Sequence, residues 1–145
     1  MEAQNVHATA IVLGTRGLMI VGPSGSGKTA LALALVDAWN RRGQFGRLVA
    51  DDQILLTCTH GRLVGSAPAA IAGLAEIAGL GPRPLSWQPR AVIDGFCRLV
   101  PAADVPRLQD DRIETFHGVG LRGLDVPARN ITAALPALTV WIETL

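Results

Sequence analysis

Hydrophobic and polar positions along the chain sort into short apolar runs broken by glycine and proline, a pattern that predicts alternating strands and helices. Ala8 to Leu13 and Leu18 to Val21 are β-friendly runs. The intervening Gly14-Thr15-Arg16-Gly17 has glycine at both ends and suits a hairpin turn. Ala30 to Trp39 combines strong helix formers with no Gly or Pro, and Gly43 beyond Arg41-Arg42 supplies a stop. That helix is apolar nearly all round, which predicts burial against a sheet on one side and other elements on the other. Arg47 to Ala50 reads as a short buried strand that delivers Asp51-Asp52 at its carboxyl end. Gln53 to Cys58 and Arg62 to Val64 read as two further strands joined through Thr59-His60-Gly61.

The pattern weakens further along. Ala67 to Ala78 is alanine-rich but carries Pro68 and Gly73, which allows at most one or two short helical turns. Pro82 to Pro89 reads as a loop by its prolines. Ala91 to Val100 is strand-like with a weak centre at Asp94-Gly95, and the polar, proline-broken Pro101 to Asp111 is expected to be exposed and mobile. Asn130 suits the N-cap of a helix from Ile131 to about Glu143, bent or restarted at Pro136 because proline removes a donor. No repeat or linker interrupts the chain, so residues 1–145 are expected to form one domain with a core of ordinary size.

Composition narrows the function classes. A net charge of +1 and a pI near 7.9 leave no strongly basic footprint for nucleic acid. No apolar stretch reaches the length of a membrane span and no signal peptide is evident. The two cysteines, Cys58 and Cys97, form no C-x-x-C pair, which points to a reduced, cytoplasmic setting. Twelve of the thirteen Lys and Arg residues are arginine; the single lysine is Lys28.

Lys28 lies in Gly22-Pro23-Ser24-Gly25-Ser26-Gly27-Lys28-Thr29, which satisfies G-x-x-x-x-G-K-[ST] at every fixed position, after a predicted strand and at the start of a predicted helix. Gly22, Gly25 and Gly27 allow successive backbone N–H groups to curl toward phosphate oxygens with no Cβ in the way. The helix N-terminus adds partial positive charge, Lys28 a point charge, and the Thr29 hydroxyl is the expected Mg²⁺ ligand. Strand, phosphate loop, helix, strand is an α/β order, and the early hairpin makes the sheet mixed. The expected fold is therefore an α/β, P-loop-containing kinase-like domain with a mixed sheet flanked by helices.

Phosphoryl transfer also needs carboxylates. Asp51-Asp52 follows a hydrophobic strand, where a parallel sheet would present it beside the phosphate loop. Neighbouring strand residues face opposite ways, so only one of the two is aimed at the phosphate unless the strand has already ended. His7, just before the first strand, has a side chain suited to proton handling but by itself reads as a surface or packing residue. Glu76 sits in an apolar, glycine-rich stretch where a carboxylate needs a partner or a metal. His60 and His117 read as turn residues, and Trp39, Trp87 and Trp141 as core or helix-face anchors.

These segments resemble the catalytic domain of bacterial HPr kinase/phosphorylase, in the short form without the family's separate N-terminal domain. The resemblance is carried by His7 standing 21 residues before Lys28, by Arg47-Leu48-Val49-Ala50-Asp51-Asp52, by Leu63-Val64-Gly65-Ser66-Ala67-Pro68 and by Glu76-Ile77-x-Gly79-Leu80-Gly81. A weaker echo appears at Pro127-Ala128-Arg129-Asn130. The resemblance implies ATP and Mg²⁺ as cofactors, an HPr-type phosphocarrier protein as partner and a homohexamer. It implies that Lys28 and the loop hold nucleotide phosphates or pyrophosphate, and that Thr29 and Glu76 hold Mg²⁺. One of Asp51 and Asp52, with Asp52 favoured, would take the proton from the attacking serine of HPr, tuned by His7. Arg107, in the proline-rich polar stretch, would be a loop-borne arginine that stabilises the transferring phosphoryl group. Where the family continues Glu-Ile-Arg-Gly-x-Gly-Ile-Ile-Asn, this chain has Ala78 for the arginine and Pro82-Arg83-Pro84 for the isoleucine and asparagine stretch. The implied activity is serine phosphorylation of HPr and its phosphate-dependent reversal; the alternative is a catalytically degenerate nucleotide-binding regulator.

Overall fold

The computed structural model describes residues 2–110 and 112–145. Eleven strands and two helices run in the order β1 (Gln4–Val6), β2 (Ala8–Leu13), β3 (Arg16–Val21), α1 (Lys28–Arg41), β4 (Gly46–Ala50), β5 (Ile54–Thr59), β6 (Arg62–Ser66), β7 (Leu74–Ile77), β8 (Gly81–Pro84), β9 (Arg90–Val100), β10 (Arg112–Phe116), β11 (Val119–Pro127) and α2 (Ile131–Ile142). Nine strands form one mixed sheet in the order β1-β5-β6-β9-β3-β2-β4, with β11 joined to β9 and β10 to β11. The β3–β9 and β9–β11 pairs are parallel; the rest are antiparallel.

Topology brings one edge of this sheet together. β2 pairs antiparallel with both β3 and β4, so those two point the same way and their carboxyl ends meet the amino end of β2. β9 and β11 run parallel to β3 and finish on that edge too. The segments leaving these ends are the phosphate loop, Asp51-Asp52, Pro101 and Ala128-Arg129, with His7 immediately before β2. Ligand sites of α/β folds form at such a row of carboxyl ends.

Both faces of the sheet are buried, which is why β2 and β3 read as nearly unbroken apolar runs. Side chains alternate between two layers. Ile11, Leu13, Leu18 and Ile20 pack with Leu31, Leu35 and Trp39 of α1 and Leu138 and Trp141 of α2. Ala8, Ala10, Val12, Met19 and Val21 pack with Ile54, Leu56, Leu63 and Phe96. The helices thus share one face, and the sheet's own strands cover the other. The expected mixed α/β fold is observed, with both helices on the same side of the sheet.

Several local expectations are corrected. Thr15 alone with Gly14 makes the first turn, because β3 already begins at Arg16. Between Ala67 and Ala78 only residues Ala69–Ile71 form a helical turn; Glu76 lies on β7, which pairs with β8 inside the expected loop. Pro82 and Pro84 are tolerated there because, among the described residues, β8 pairs with β7 alone. β9 is continuous through Asp94-Gly95, where the missing Cβ leaves room for Leu145. The stretch 112–127, unread in the sequence, forms β10 and β11. α2 runs without interruption through Pro136, which is exposed, as is Thr132, so the carbonyl that loses its donor is open to water. Trp39 and Trp141 are buried as expected, whereas Trp87 is 40% exposed over Gly73. His60 and His117 occupy left-handed turn positions. Asp111 lies outside the described residues.

Candidate active site

The phosphate loop links β3 to α1. Gly25 and Gly27 take left-handed φ values of +78° and +96°, which only glycine adopts without strain, and Gly27 caps α1. Lys28 is 5% exposed, and its Nζ donates to the carbonyls of Gly22 at 2.9 Å and Pro23 at 3.2 Å. The ammonium is thereby folded back over the loop. Ser26 Oγ is buried with no partner among the described residues.

Asp51 and Asp52 both reach this loop, because β4 ends at Ala50 and Asp52 turns into the left-handed region with φ +68°. Strand alternation no longer applies past that point. Asp51 is 5% exposed and is held by three donors: Thr29 Oγ1 at 2.7 Å and Thr9 Oγ1 at 3.0 Å on Oδ1, and the Glu76 N–H at 2.9 Å on Oδ2. A carboxylate so satisfied is fixed in position. Asp52 has a side chain 58% exposed; its Oδ1 lies 3.0 Å from His7 Nε2 and 4.0 Å from Lys28 Nζ. Two neighbouring carboxylates therefore occupy different environments, one buried and held by donors and the other open to solvent beside His7.

Glu76 is exposed on β7 and lines, with Ser24, Thr29, Asp51 and Asp52, a cavity of about 480 Å³. These oxygen donors suit Mg²⁺ rather than a softer metal. Among the described residues no three His, Cys, Asp or Glu side chains form a metal cage, so a bound Mg²⁺ would complete its shell with phosphate oxygens and water. A second cavity of about 750 Å³ opens on the other side of the loop, lined by His7, Pro23, Arg98 and Phe116. Arg98 is paired there with Glu114 at 2.7 Å. Arg107 is exposed on the segment after β9 and does not line the cavities beside the loop.

Two contributors escaped the sequence reading. Thr9 sits fully buried in an apolar strand, its hydroxyl donating to Asp51 and accepting from the Asp52 N–H at 3.1 Å. A threonine within Ala-Thr-Ala-Ile-Val-Leu is the available signal, since a buried hydroxyl requires partners. Arg129, noted only as a weak echo, adopts φ +55°; its N–H donates to Ser26 O at 3.1 Å and its Nε to Gly25 O. It braces the phosphate loop from behind.

An α/β sheet that gathers a phosphate loop, a carboxylate pair and a histidine on one edge defines a P-loop kinase-like domain. A family model described as "HPr Serine kinase C-terminal domain" matches residues 1–82. The chain belongs to this family. It is 42% identical over 81 residues to an HPr kinase/phosphorylase of Levilactobacillus brevis, a match covering 55% of this chain and 24% of that protein. With the HPr kinase/phosphorylase of Clostridium tetani it shares 38% identity over 76 residues, covering 52% of this chain and 23% of that one. The chain's match thus spans about a quarter of these curated relatives. The solved Hpr(Ser) kinase/phosphatase of Coxiella burnetii superposes with a TM-score of 0.79 at 27% identity, covering 97% of this chain and 94% of that one.

Proposed function

We propose that this protein transfers the terminal phosphoryl group of ATP to a serine hydroxyl of an HPr-type phosphocarrier protein, and returns it to inorganic phosphate in the reverse direction. The observation that carries this reading is Asp52: an accessible carboxylate 3.0 Å from His7 and 4.0 Å from the phosphate-loop lysine, on the same sheet edge. As the serine oxygen forms its bond to the phosphorus, its proton passes to the Asp52 carboxylate and ADP leaves. In reverse, the protonated Asp52 returns the proton to the departing serine oxygen while phosphate takes the phosphoryl group as pyrophosphate. His7, 3.0 Å from Asp52 Oδ1, orients that carboxylate.

The amides of Gly25 to Thr29 and the Lys28 ammonium bind the phosphate chain. Thr29 and Glu76 would hold Mg²⁺, with Asp51 fixing the Thr29 hydroxyl; the ion supplies charge neutralisation at the transferring group. Arg107 would join from its exposed segment as the acceptor protein docks. Assembly as a homohexamer in the cytoplasm completes the reading; no described helix is long and apolar enough to cross a membrane.

Incubation with Mg·[γ-³²P]ATP and HPr tests it. Label on an HPr serine is expected from the native chain and lost in Asp52→Asn; native chain that binds ATP yet labels no HPr overturns the transfer. A second reading, a nucleotide-binding regulator without transfer, is favoured by Ala78, which lines the Glu76 side of the site with only a methyl group. Under it, Ala78→Arg leaves transfer absent while nucleotide binding is intact.

A further inference from the structure

Among the described residues the buried polar or charged side chains are Thr9, Ser26, Lys28 and Asp51, and Thr9 alone belongs to neither the phosphate loop nor the carboxylate pair. It lies in the otherwise apolar β2, between Ala8 and Ala10. Between Ala10↔Ala50 and Ile11↔Leu48 the pairing of β2 with β4 shifts by one residue, Val49 being the extra one. Continued past Ala10 and Ala50, the shifted register sets Thr9 opposite Asp51; the unshifted one would set Ala8 there. A bulge of one residue therefore brings a hydroxyl, in place of a methyl, against the carboxylate.

The Thr9 hydroxyl has one proton and can serve both neighbours in only one sense. It donates to Asp51 Oδ1 at 3.0 Å, and its oxygen accepts from the Asp52 N–H at 3.1 Å. Asp52 needs such a partner, because its φ of +68° is a left-handed conformation that a residue with a Cβ holds only where the surroundings impose it. The other bond that closes this turn, from the Gln53 N–H to Asp51 O at 2.8 Å, spans Asp52 without engaging it. From these contacts we infer that Thr9 is a positioning residue: its hydroxyl fixes the Asp52 backbone in the left-handed turn and so sets the carboxylate 3.0 Å from His7. The inference rests on the reading that Asp52 takes the serine proton. Asp51 Oδ1 also accepts from Thr29 Oγ1 at 2.7 Å, so an unbroken row of hydrogen bonds joins the hydroxyl expected at Mg²⁺ to the turn that carries the proton acceptor. Without Thr9 Oγ1, Asp51 keeps Thr29 and the Glu76 N–H, whereas among the described residues the Asp52 N–H has no second acceptor.

Phosphoryl transfer to HPr by Thr9→Val, Thr9→Ser and the double variant Thr9→Val/Asp52→Asn, together with the His7 ring resonances in NMR of the full chain, tests this. Thr9→Val keeps the shape and loses the hydroxyl; its kcat is expected to fall about 10- to 100-fold, with KM for ATP within about twofold of native. Thr9→Ser, which keeps the hydroxyl, is expected to recover most of that loss. Because Thr9 acts through Asp52, the double variant is expected to be no slower than Asp52→Asn by itself. Losses that multiply overturn the positioning role, as does an equal fall in Thr9→Val and Thr9→Ser. The His7 ring resonances are expected to move in Thr9→Val toward those of Asp52→Asn, and to stay native in Thr9→Ser; a ring unmoved by Thr9→Val overturns the role. Native chain that transfers nothing to HPr removes the phosphoryl-transfer reading, and the ring resonances then decide the role of Thr9 by themselves. Thr9→Ala, which removes the hydroxyl without adding bulk, carries the same expectations should Thr9→Val not fold.

Discussion

The imidazole of His7 lies 3.0 Å from the carboxylate of Asp52, although the two are separated by the whole of β2, β3, α1 and β4. β2 runs antiparallel between β3 and β4, so the residue entering β2 and the residue leaving β4 share one sheet edge. Next to Asp52, Asp51 turns the other way into a buried nest of Thr9, Thr29 and the Glu76 N–H.

This division predicts separable mutants. Asp52→Asn is expected to lower phosphoryl transfer to HPr by roughly 10²- to 10⁴-fold, the range for losing a general base, while thermal stability and nucleotide binding stay close to native. Asp51→Ala is expected to strip three donors of their acceptor and destabilise the fold by about 2–4 kcal/mol, read from urea denaturation. Equal loss of stability in both variants would contradict the assignment.

Lys28→Arg is expected to behave like Lys28→Ala, with ATP affinity reduced at least about tenfold by titration calorimetry. The charge is kept, but the ammonium is 5% exposed between the Gly22 and Pro23 carbonyls, and a planar guanidinium has no room there. Native affinity in the arginine variant would show that charge alone suffices.

Gly123→Ala tests the packing of β11 on β9. A Cβ at Gly123 would overlap the Phe96 ring, which is fully buried. The expected cost is about 1–3 kcal/mol with a lower Tm, because a packed interior accommodates an added methyl only by moving its neighbours. Phe96→Leu in the same chain is expected to recover part of that loss.

Burial pushes the Cys97 thiol up from 9.0 to about 12. Thiol reagents are therefore expected to modify half-buried Cys58 in the native protein and Cys97 only after unfolding. The stabilising contribution of neutral Cys97 is complete below the unfolded value of 9.0 and declines as pH rises toward about 12, because the unfolded chain releases a proton that the native one retains. With no Tyr and one Lys in the chain, few other side chains titrate in this window. Urea denaturation between these pH values should show the decline, and Cys97→Ala should flatten it.

Much of this protein was legible without coordinates, and the reasons are local. The phosphate loop is defined by residue types at contiguous positions, and its strand and helix follow from apolar runs whose ends carry glycine. Lys28 as the lone lysine among arginines already marked the place where a compact ammonium is required. β10 and β11 were not legible, since their pattern is interrupted by Gly118, Gly120 and Gly123 and their pairing with β9 is long-range. Glu76 was expected near a helical turn and lies on β7, because the hairpin of β7 with a proline-rich β8 has no periodic signal.

By itself, then, the sequence determined the identity of the phosphate loop, the early order of elements and the set of carboxylates from which a site is drawn, because those depend on neighbours in the chain. Tertiary structure decided which carboxylate is buried and which is accessible, that Thr9 holds both in place, and that Arg129 braces the loop from about 100 residues away. Those outcomes depend on a left-handed turn at Asp52 and on four strand ends meeting at one edge, relations between distant segments that no local pattern of residues encodes.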